Sequence, residues 1–218
     1  MKIISNNTTN KNNRKMSDLI DACFYGDLDK VKSILNKCDI NTYRLYDQSF
    51  YQACYGNKTD VINYLLEFSE KNKYVINIHY NCDYIIGHFC KAGDLDMIKR
   101  LIKYGEDNNT KINLHSANEF AFCKACIFGQ YTCAQYIIDY YYSHNDFINI
   151  KNINLSYIFN ETCRLKFINV VKLLIEYCIC NGIEITEEMF SILYKNDYFN
   201  YVMIQFICDC FEKSQSII

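Results

Sequence analysis

Ala22-Cys23-Phe24-Tyr25-Gly26-Asp27-Leu28-Asp29-Lys30-Val31 and Gly93-Asp94-Leu95-Asp96-Met97-Ile98-Lys99-Arg100-Leu101-Ile102 share a Gly-Asp-Leu-Asp core followed by apolar residues at helical spacing. Taking the glycine as anchor, the same pattern recurs at Gly56, at Gly129 and, with the glycine replaced, at Lys166, at intervals of 30, 37, 36 and 37 residues. Three residues before the anchor stand Cys23, Ala53, Cys90, Cys126 and Cys163, and five after it Val31, Val61, Ile98, Ala134 and Val171. Pairs follow at eight and nine: Ile34-Leu35, Tyr64-Leu65, Leu101-Ile102, Ile137-Ile138 and Leu174-Ile175. Seven before the anchor come Leu19, Ile86, Phe122 and Phe159, with Ser49 as the exception. A repeat with so many coincident positions is a structural unit copied along the chain.

Within each unit the apolar steps of three and four place one face of a helix on either side of the anchor. A glycine there supplies a turn that a Cβ would resist. Ser17, Asp47, Asp83 and Ser156 are candidate N-caps for the first helices, and Asn72, Gly105, Asn145 and Gly182 candidate stops for the second. The units are joined by segments of alternating apolarity: Ile40-Asn41, Ile76-Asn77-Ile78, Ile112-Asn113-Leu114 and Ile148-Asn149-Ile150.

The bulk composition sets limits on function. Half of the 218 residues are hydrophobic, enough for a sizeable core. The net charge of −2 comes from 23 basic and 25 acidic residues scattered along the chain, without the basic concentration of a nucleic-acid binder. No apolar run is long enough to span a bilayer, and Met1 to Lys15 lacks the apolar core of a signal peptide. Thirteen cysteines in a chain with this much core read as free thiols in a reducing, intracellular compartment. The absence of Pro and Trp and the excess of Asn, Ile, Lys, Tyr and Phe follow AT-rich codons. The 20 tyrosines are therefore not in themselves a functional signal.

A helix, a tight turn, a second helix and a hairpin-like connection, repeated near 33 residues, resembles the ankyrin repeat. Ala22 to Val31, Gly93 to Ile102 and Asn169-Val170-Val171-Lys172-Leu173-Leu174 follow that family's A-A-x-x-G-H-x-E-V-V-K-L-L pattern over about residues 17 to 180. The resemblance implies an all-α ankyrin-repeat solenoid of five to six helix-turn-helix units, at 17–41, 42–77, 78–113, 114–149 and 150–183, with a C-terminal cap at 184–211. Residues 1–16 read as a disordered polar arm and 212–218 as a tail. The cap is expected to open with a helix at Thr186-Glu187-Glu188, with Asn196 as its anchor and a second helix near Phe199 to Phe211. The family's T-P-L-H stretch is absent, replaced by Ser17-Asp18-Leu19-Ile20 and by Phe120-Ala121-Phe122-Cys123, so its buried histidine is missing. Ile112 to Phe122 looks like the divergent ankyrin repeats of amoeba-infecting giant DNA viruses, whose AT-rich genomes match the composition.

The search for chemistry yields no phosphate loop, no nucleophile elbow and no convergent catalytic group. The expectation is a non-enzymatic chain without cofactor or metal. Cys123-x2-Cys126 with Cys133, and Cys178-x-Cys180 with Cys208-x-Cys210, have ligand-like spacing. Buried core thiols are the competing reading, since Cys126 shares the small slot with Cys23, Cys90 and Cys163. His79 and His115 recur after the Ile-Asn segments and suit a surface role; His88 and His144 are isolated.

The resemblance implies a monomeric protein-interaction scaffold, with protein partners from a host cell, no nucleic acid and no membrane, expected inside the cell in the host cytoplasm, with virion and nucleus as alternatives. In that family the residues just before the anchor and those on the hairpin meet the partner. Carried over, these are Tyr25, Tyr55, Lys91, Phe128 and Arg164 on the helices and Tyr43, Arg44, Tyr46 and Tyr80 on the hairpins. A metal-binding or redox-sensing protein and an adaptor recruiting a ubiquitin ligase are the alternatives.

Overall fold

In a computed structural model the chain is described at residues 17–37, 43–79, 83–190, 205 and 209. Among the described residues there are ten α-helices and no strand: α1 (17–25), α2 (Leu28–Leu35), α3 (Tyr43–Tyr55), α4 (Thr59–Lys71), α5 (Tyr84–Ala92), α6 (Leu95–Asp107), α7 (Ser116–Ile127), α8 (Tyr131–Ser143), α9 (Leu155–Arg164) and α10 (Ile168–Cys180). Short 3-10 turns lie at Ile150–Asn152 and Glu187–Phe190. The second is all that is described of the helix expected from Thr186. The arm 1–16, Asn196, the predicted helix 199–211 and the tail 212–218 lie outside the described residues, save 205 and 209.

The helices fall into two compact units, each with its own core. The first comprises Met1–Phe89 with Asp96–Asn113, the second Cys90–Leu95 with Leu114–Ile218. In the first, α3 packs on α4 and α4 lies beside α2; in the second, α7 packs on α8 and on α9, and α10 on α8 and α9. Leu19, Cys23, Val31, Phe50, Leu65, Ile86 and Ile98 are buried in the first core, and Phe122, Cys126, Ala134, Ile138, Phe159, Cys163 and Val171 in the second. The predicted helix pairs are thus present on both sides of each described turn.

Backbone conformation corrects the predicted register in one repeat. The residues with left-handed φ at the inter-helix turns are Gly26 (82°), Asn57 (53°), Gly93 (78°), Gly129 (72°) and Lys166 (60°). In the second repeat the anchor is therefore Asn57 and not Gly56. The turn hydrogen bonds agree: the amide after the left-handed residue reaches back five residues, Asp27 to Ala22 O (2.9 Å), Lys58 to Ala53 O (2.9 Å), Gln130 to Ala125 O (2.8 Å) and Phe167 to Thr162 O (2.9 Å). Moving the anchor by one removes the exception at Ser49. Phe50 now matches Leu19, Ile86, Phe122 and Phe159, and Cys54 joins Cys23, Cys90, Cys126 and Cys163 in one small, fully buried slot. Gly56 is needed for another reason: a Cβ there would lie 2.5 Å from the Phe24 carbonyl oxygen.

Several predicted helix boundaries also move. Asp47 and Ser156 lie inside α3 and α9, and Ser17 is already helical. Asn154 is the cap of α9, accepting the Tyr157 amide at 2.9 Å. Asn72 does end α4, donating to Phe68 O. Gly105 is buried within α6, where a Cβ would meet the Thr110 carbonyl at 2.6 Å, so its role is close approach of the following segment. Asn145 and Gly182, both left-handed, follow the ends of α8 and α10.

Candidate functional site

In the second unit the connection between repeats is tied by side chains in place of the missing histidine motif. Glu119 is completely buried, yet its carboxylate accepts from three donors: His115 Nδ1 (2.6 Å), the Tyr141 hydroxyl (2.8 Å) and the Asn149 amide (2.9 Å). Burial, then the neighbouring carboxylate, hold the Tyr141 phenol well above its ordinary range, so it stays a neutral donor. His115 Nε2 also faces Asp146 at 2.8 Å, and the imidazole stacks on Tyr141. An imidazole between two carboxylates can donate from both nitrogens only when protonated. Burial by itself would depress the His115 pKa, but the bonds to Glu119 and Asp146 outweigh it and raise the value. Glu119 completes a left-handed turn with Ala117 and Asn118, at φ 59°, 53° and 57°. Such a conformation costs roughly 1–2 kcal/mol per residue, and the three bonds on Glu119 hold it in place.

The first unit repeats this device. Asp47 accepts from the Asn77 amide at 2.8 Å and from the Tyr74 hydroxyl. The amide one residue earlier is taken by a phenol on a second helix: Ile76 donates to Tyr104 at 3.0 Å, and in the second unit Ile148 donates to Tyr177 at 3.1 Å. Burial pushes the Tyr177 phenol up to about 12. In the first unit His79 Nδ1 faces Asp83 at 2.7 Å, four residues on, as His115 faces Glu119. These groups are engaged in fastening the chain to itself, and they leave the exposed edge of the first helices as the candidate site.

On that edge in the first unit, Tyr25 is 74% and Tyr55 53% exposed. The structure joins them through rings that the sequence reading did not select. Tyr55 stacks on Phe24 of the preceding repeat (centroids 6.3 Å apart) and on Tyr51, one turn earlier on its own helix (6.2 Å). It meets His88 of the following repeat edge-on at 4.8 Å, and Phe24 meets Tyr25 edge-on at 5.1 Å. The i, i+4 spacing of Tyr51 and Tyr55 was the available signal. Tyr46, predicted to lie on a hairpin surface, is corrected by the structure. It is helical and only 5% exposed, stacked on Phe68 and against Tyr74. The reason is helical phase: Tyr46, Phe50 and Ala53 form one buried stripe of α3. Tyr43 and Arg44 are likewise in the first turn of α3 and not on a hairpin, with side chains outside the described residues, as is Tyr80.

In the second unit Lys91 and Phe128 come together, with the Lys91 ammonium 4.8 Å from the Phe128 ring centroid. Lys124, not selected from sequence, lies 5.7 Å from the same ring and 5.1 Å from that of Phe120. Arg164 is exposed and pairs with Glu161 one turn away at 2.6 Å.

The described cysteines give no comparable surface. Desolvation holds Cys54 and Cys126 well above the usual thiol value and pushes Cys23, Cys163 and Cys178 up to about 12. Cys123 rises to about 11, its thiol directed at the Asn118 carbonyl. Protonated thiols are poor ligands and poor nucleophiles. Cys208 and Cys210 lie outside the described residues. Among those described, no group of three or more His, Cys, Asp or Glu residues is arranged to hold a metal, and no helix is long and apolar enough to cross a membrane.

A family model described as ankyrin repeats, in three copies, matches residues 50–152. This segment consists of ankyrin repeats. The all-α architecture is consistent with that of ankyrin repeats, and further helix pairs lie on both sides of the matched residues, α1 with α2 and α9 with α10. No curated protein and no solved structure matches the chain. Ankyrin repeats are generally modules of protein–protein interaction.

Proposed function

We propose that this chain is a non-enzymatic protein-interaction scaffold, anchored on its partner by the exposed rings of the first unit. The carrying observation is the run Tyr25, Phe24, Tyr55, Tyr51 and His88 across three successive repeats, with the two most exposed of the described tyrosines at either end of the Phe24 contact. Rings packed on one another are already ordered, so less conformational entropy is lost on binding. Buried Tyr anchors commonly contribute about 2 kcal/mol or more to an interface. Lys91, Phe128 and Arg164, on the second unit, are further candidate partner contacts, and the likeness of Ile112 to Phe122 to giant-virus repeats supports partners from an infected host cell, met in its cytoplasm by a monomer.

The test is affinity capture with the full chain, comparing wild type, Tyr25→Ala plus Tyr55→Ala, and the control Tyr131→Ala. The control retains the captured proteins and the double variant loses them, with thermal unfolding unchanged in both. A double variant that captures the same proteins in the same amounts sinks the aromatic anchor.

A further inference from the structure

We infer that the face of the second unit carrying Lys91, Lys124 and Phe128 binds an extended acidic peptide segment, whose carboxylates bridge the two ammonium groups. This names the partner chemistry of one part of the scaffold and rests on the interaction reading above.

The argument begins with how the three residues are held. Lys91 is in the last turn of α5, Lys124 in the last turn of α7, and Phe128 caps α7. The turns are fastened together: Gln130 donates through Nε2 to the Lys91 carbonyl at 3.3 Å, and its side chain lies over Gly93, where a Cβ would come within 2.4 Å of Oε1. The Gln130 side chain thus ties the turn carrying Phe128 to the backbone at Lys91, independently of the lysine side chain.

Both ammonium groups sit against the Phe128 ring, at 4.8 and 5.7 Å from its centroid. A ring quadrupole attracts a cation without using its N–H donors, so each ammonium keeps three donors for an acceptor. Among the described residues neither lysine forms an ion pair, whereas Arg164, in the last turn of α9, is neutralised by Glu161. Two cations gathered on one ring repel each other, and an anion placed between them relieves that repulsion.

The charge is local. The chain as a whole carries −2, so a polyanion has no general reason to approach it. A nucleic-acid strand suits the face poorly, because bases bind by stacking on open rings, and the rings of Phe128 and Phe120 already carry ammonium groups. A peptide carboxylate needs only the donors. The exposed apolar residues Tyr157, Leu165 and Ile168 in the same unit would receive apolar side chains between the acids.

Fluorescence anisotropy of the full chain tests this, with fluorescein-labelled deca-glutamate, deca-glutamine and a deca-thymidine oligonucleotide as probes. Deca-glutamate binds, deca-glutamine does not, and the affinity falls with added salt as exposed charge pairs are screened. Lys91→Gln plus Lys124→Gln weakens binding about tenfold or more, Lys91→Arg plus Lys124→Arg restores it, and Lys30→Gln plus Lys37→Gln, on the first unit, leaves it unchanged. Equal binding of deca-glutamate and deca-glutamine, no effect of the Lys91 and Lys124 pair, or tighter binding of the oligonucleotide each overturns the inference. Tyr25→Ala plus Tyr55→Ala serves as the separating arm. If it abolishes partner capture while deca-glutamate fails to bind, the scaffold reading stands and only the acidic-peptide inference falls.

Discussion

Glu119 accepts the backbone amide of Asn149 at 2.9 Å, from a position with no exposure to solvent. Asp47 stands in the same relation to Asn77 at 2.8 Å, again 30 residues away. An acidic residue near the start of a first helix thus fastens the segment that leads out of the same repeat. In both repeats a carboxylate thereby satisfies an amide in a connection that forms no strand.

Removing these carboxylates has a graded cost. Glu119→Ala strands the buried Tyr141 hydroxyl and releases the left-handed turn, so a loss of about 3 kcal/mol or more is expected. Asp47 is less buried, and Asp47→Ala should cost about 1–2 kcal/mol. Urea unfolding followed by circular dichroism gives both values. Equal, near-zero losses would show that the carboxylates are incidental.

The same cluster sets a pH dependence. The folded pKa of His115 is raised, so its contribution is complete below the unfolded value, near 6.5, and disappears as pH climbs through the folded value. Asp146 is depressed, chiefly by its bond to His115, so its contribution is present above the ordinary carboxylate value and is lost as pH falls through the folded one. The melting temperature should therefore decline as pH rises above the ordinary histidine value of 6.5, and His115→Gln should flatten that decline. A variant with the wild-type slope would exclude His115 as the titrating group.

The register of the second repeat can be tested by paired substitutions at its turn. Asn57 is left-handed, so Asn57→Gly should be neutral to stabilising, by up to about 1 kcal/mol. Gly56→Ala drives a Cβ into the Phe24 carbonyl and should destabilise by about 2 kcal/mol or more. Lys166→Gly, at the equivalent turn, should stabilise by about 0.5–1 kcal/mol. Gly129→Ala should do the reverse, since φ is 72° and the Phe167 ring stands 2.7 Å from the added atom. Thermal melts of the four variants decide the matter; clear destabilisation by Asn57→Gly would restore Gly56 as the anchor.

Thiol reactivity should divide along burial. Among the described cysteines Cys180 is exposed, whereas Cys23, Cys54, Cys90, Cys126 and Cys163 share the closed slot. Iodoacetamide labelling read by peptide mass mapping should modify Cys180 rapidly and the slot residues only in denaturant. Rapid native labelling of Cys126 would contradict a slot that holds its thiols protonated and dry.

The repeat was legible in the sequence because its determinants are local: apolar residues at steps of three and four, a small residue beside each turn, and a residue tolerant of positive φ. These fix helix faces and turn positions within a few residues, whatever lies around them. The same locality explains the errors. With Gly56 and Asn57 adjacent, local chemistry favours the glycine, and the choice goes the other way because one more residue in α3 turns Phe50 and Cys54 into the slots filled elsewhere by Phe122 and Cys126. A helix rotates by about 100° per residue, so that decision belongs to the neighbouring helices and not to the segment. For the same reason Tyr46 turned inward, and the exposed edge was completed by Phe24, Tyr51 and His88. Spacing along the chain determined that ankyrin helix pairs form; contact across successive repeats decided which rings and charges reach the surface.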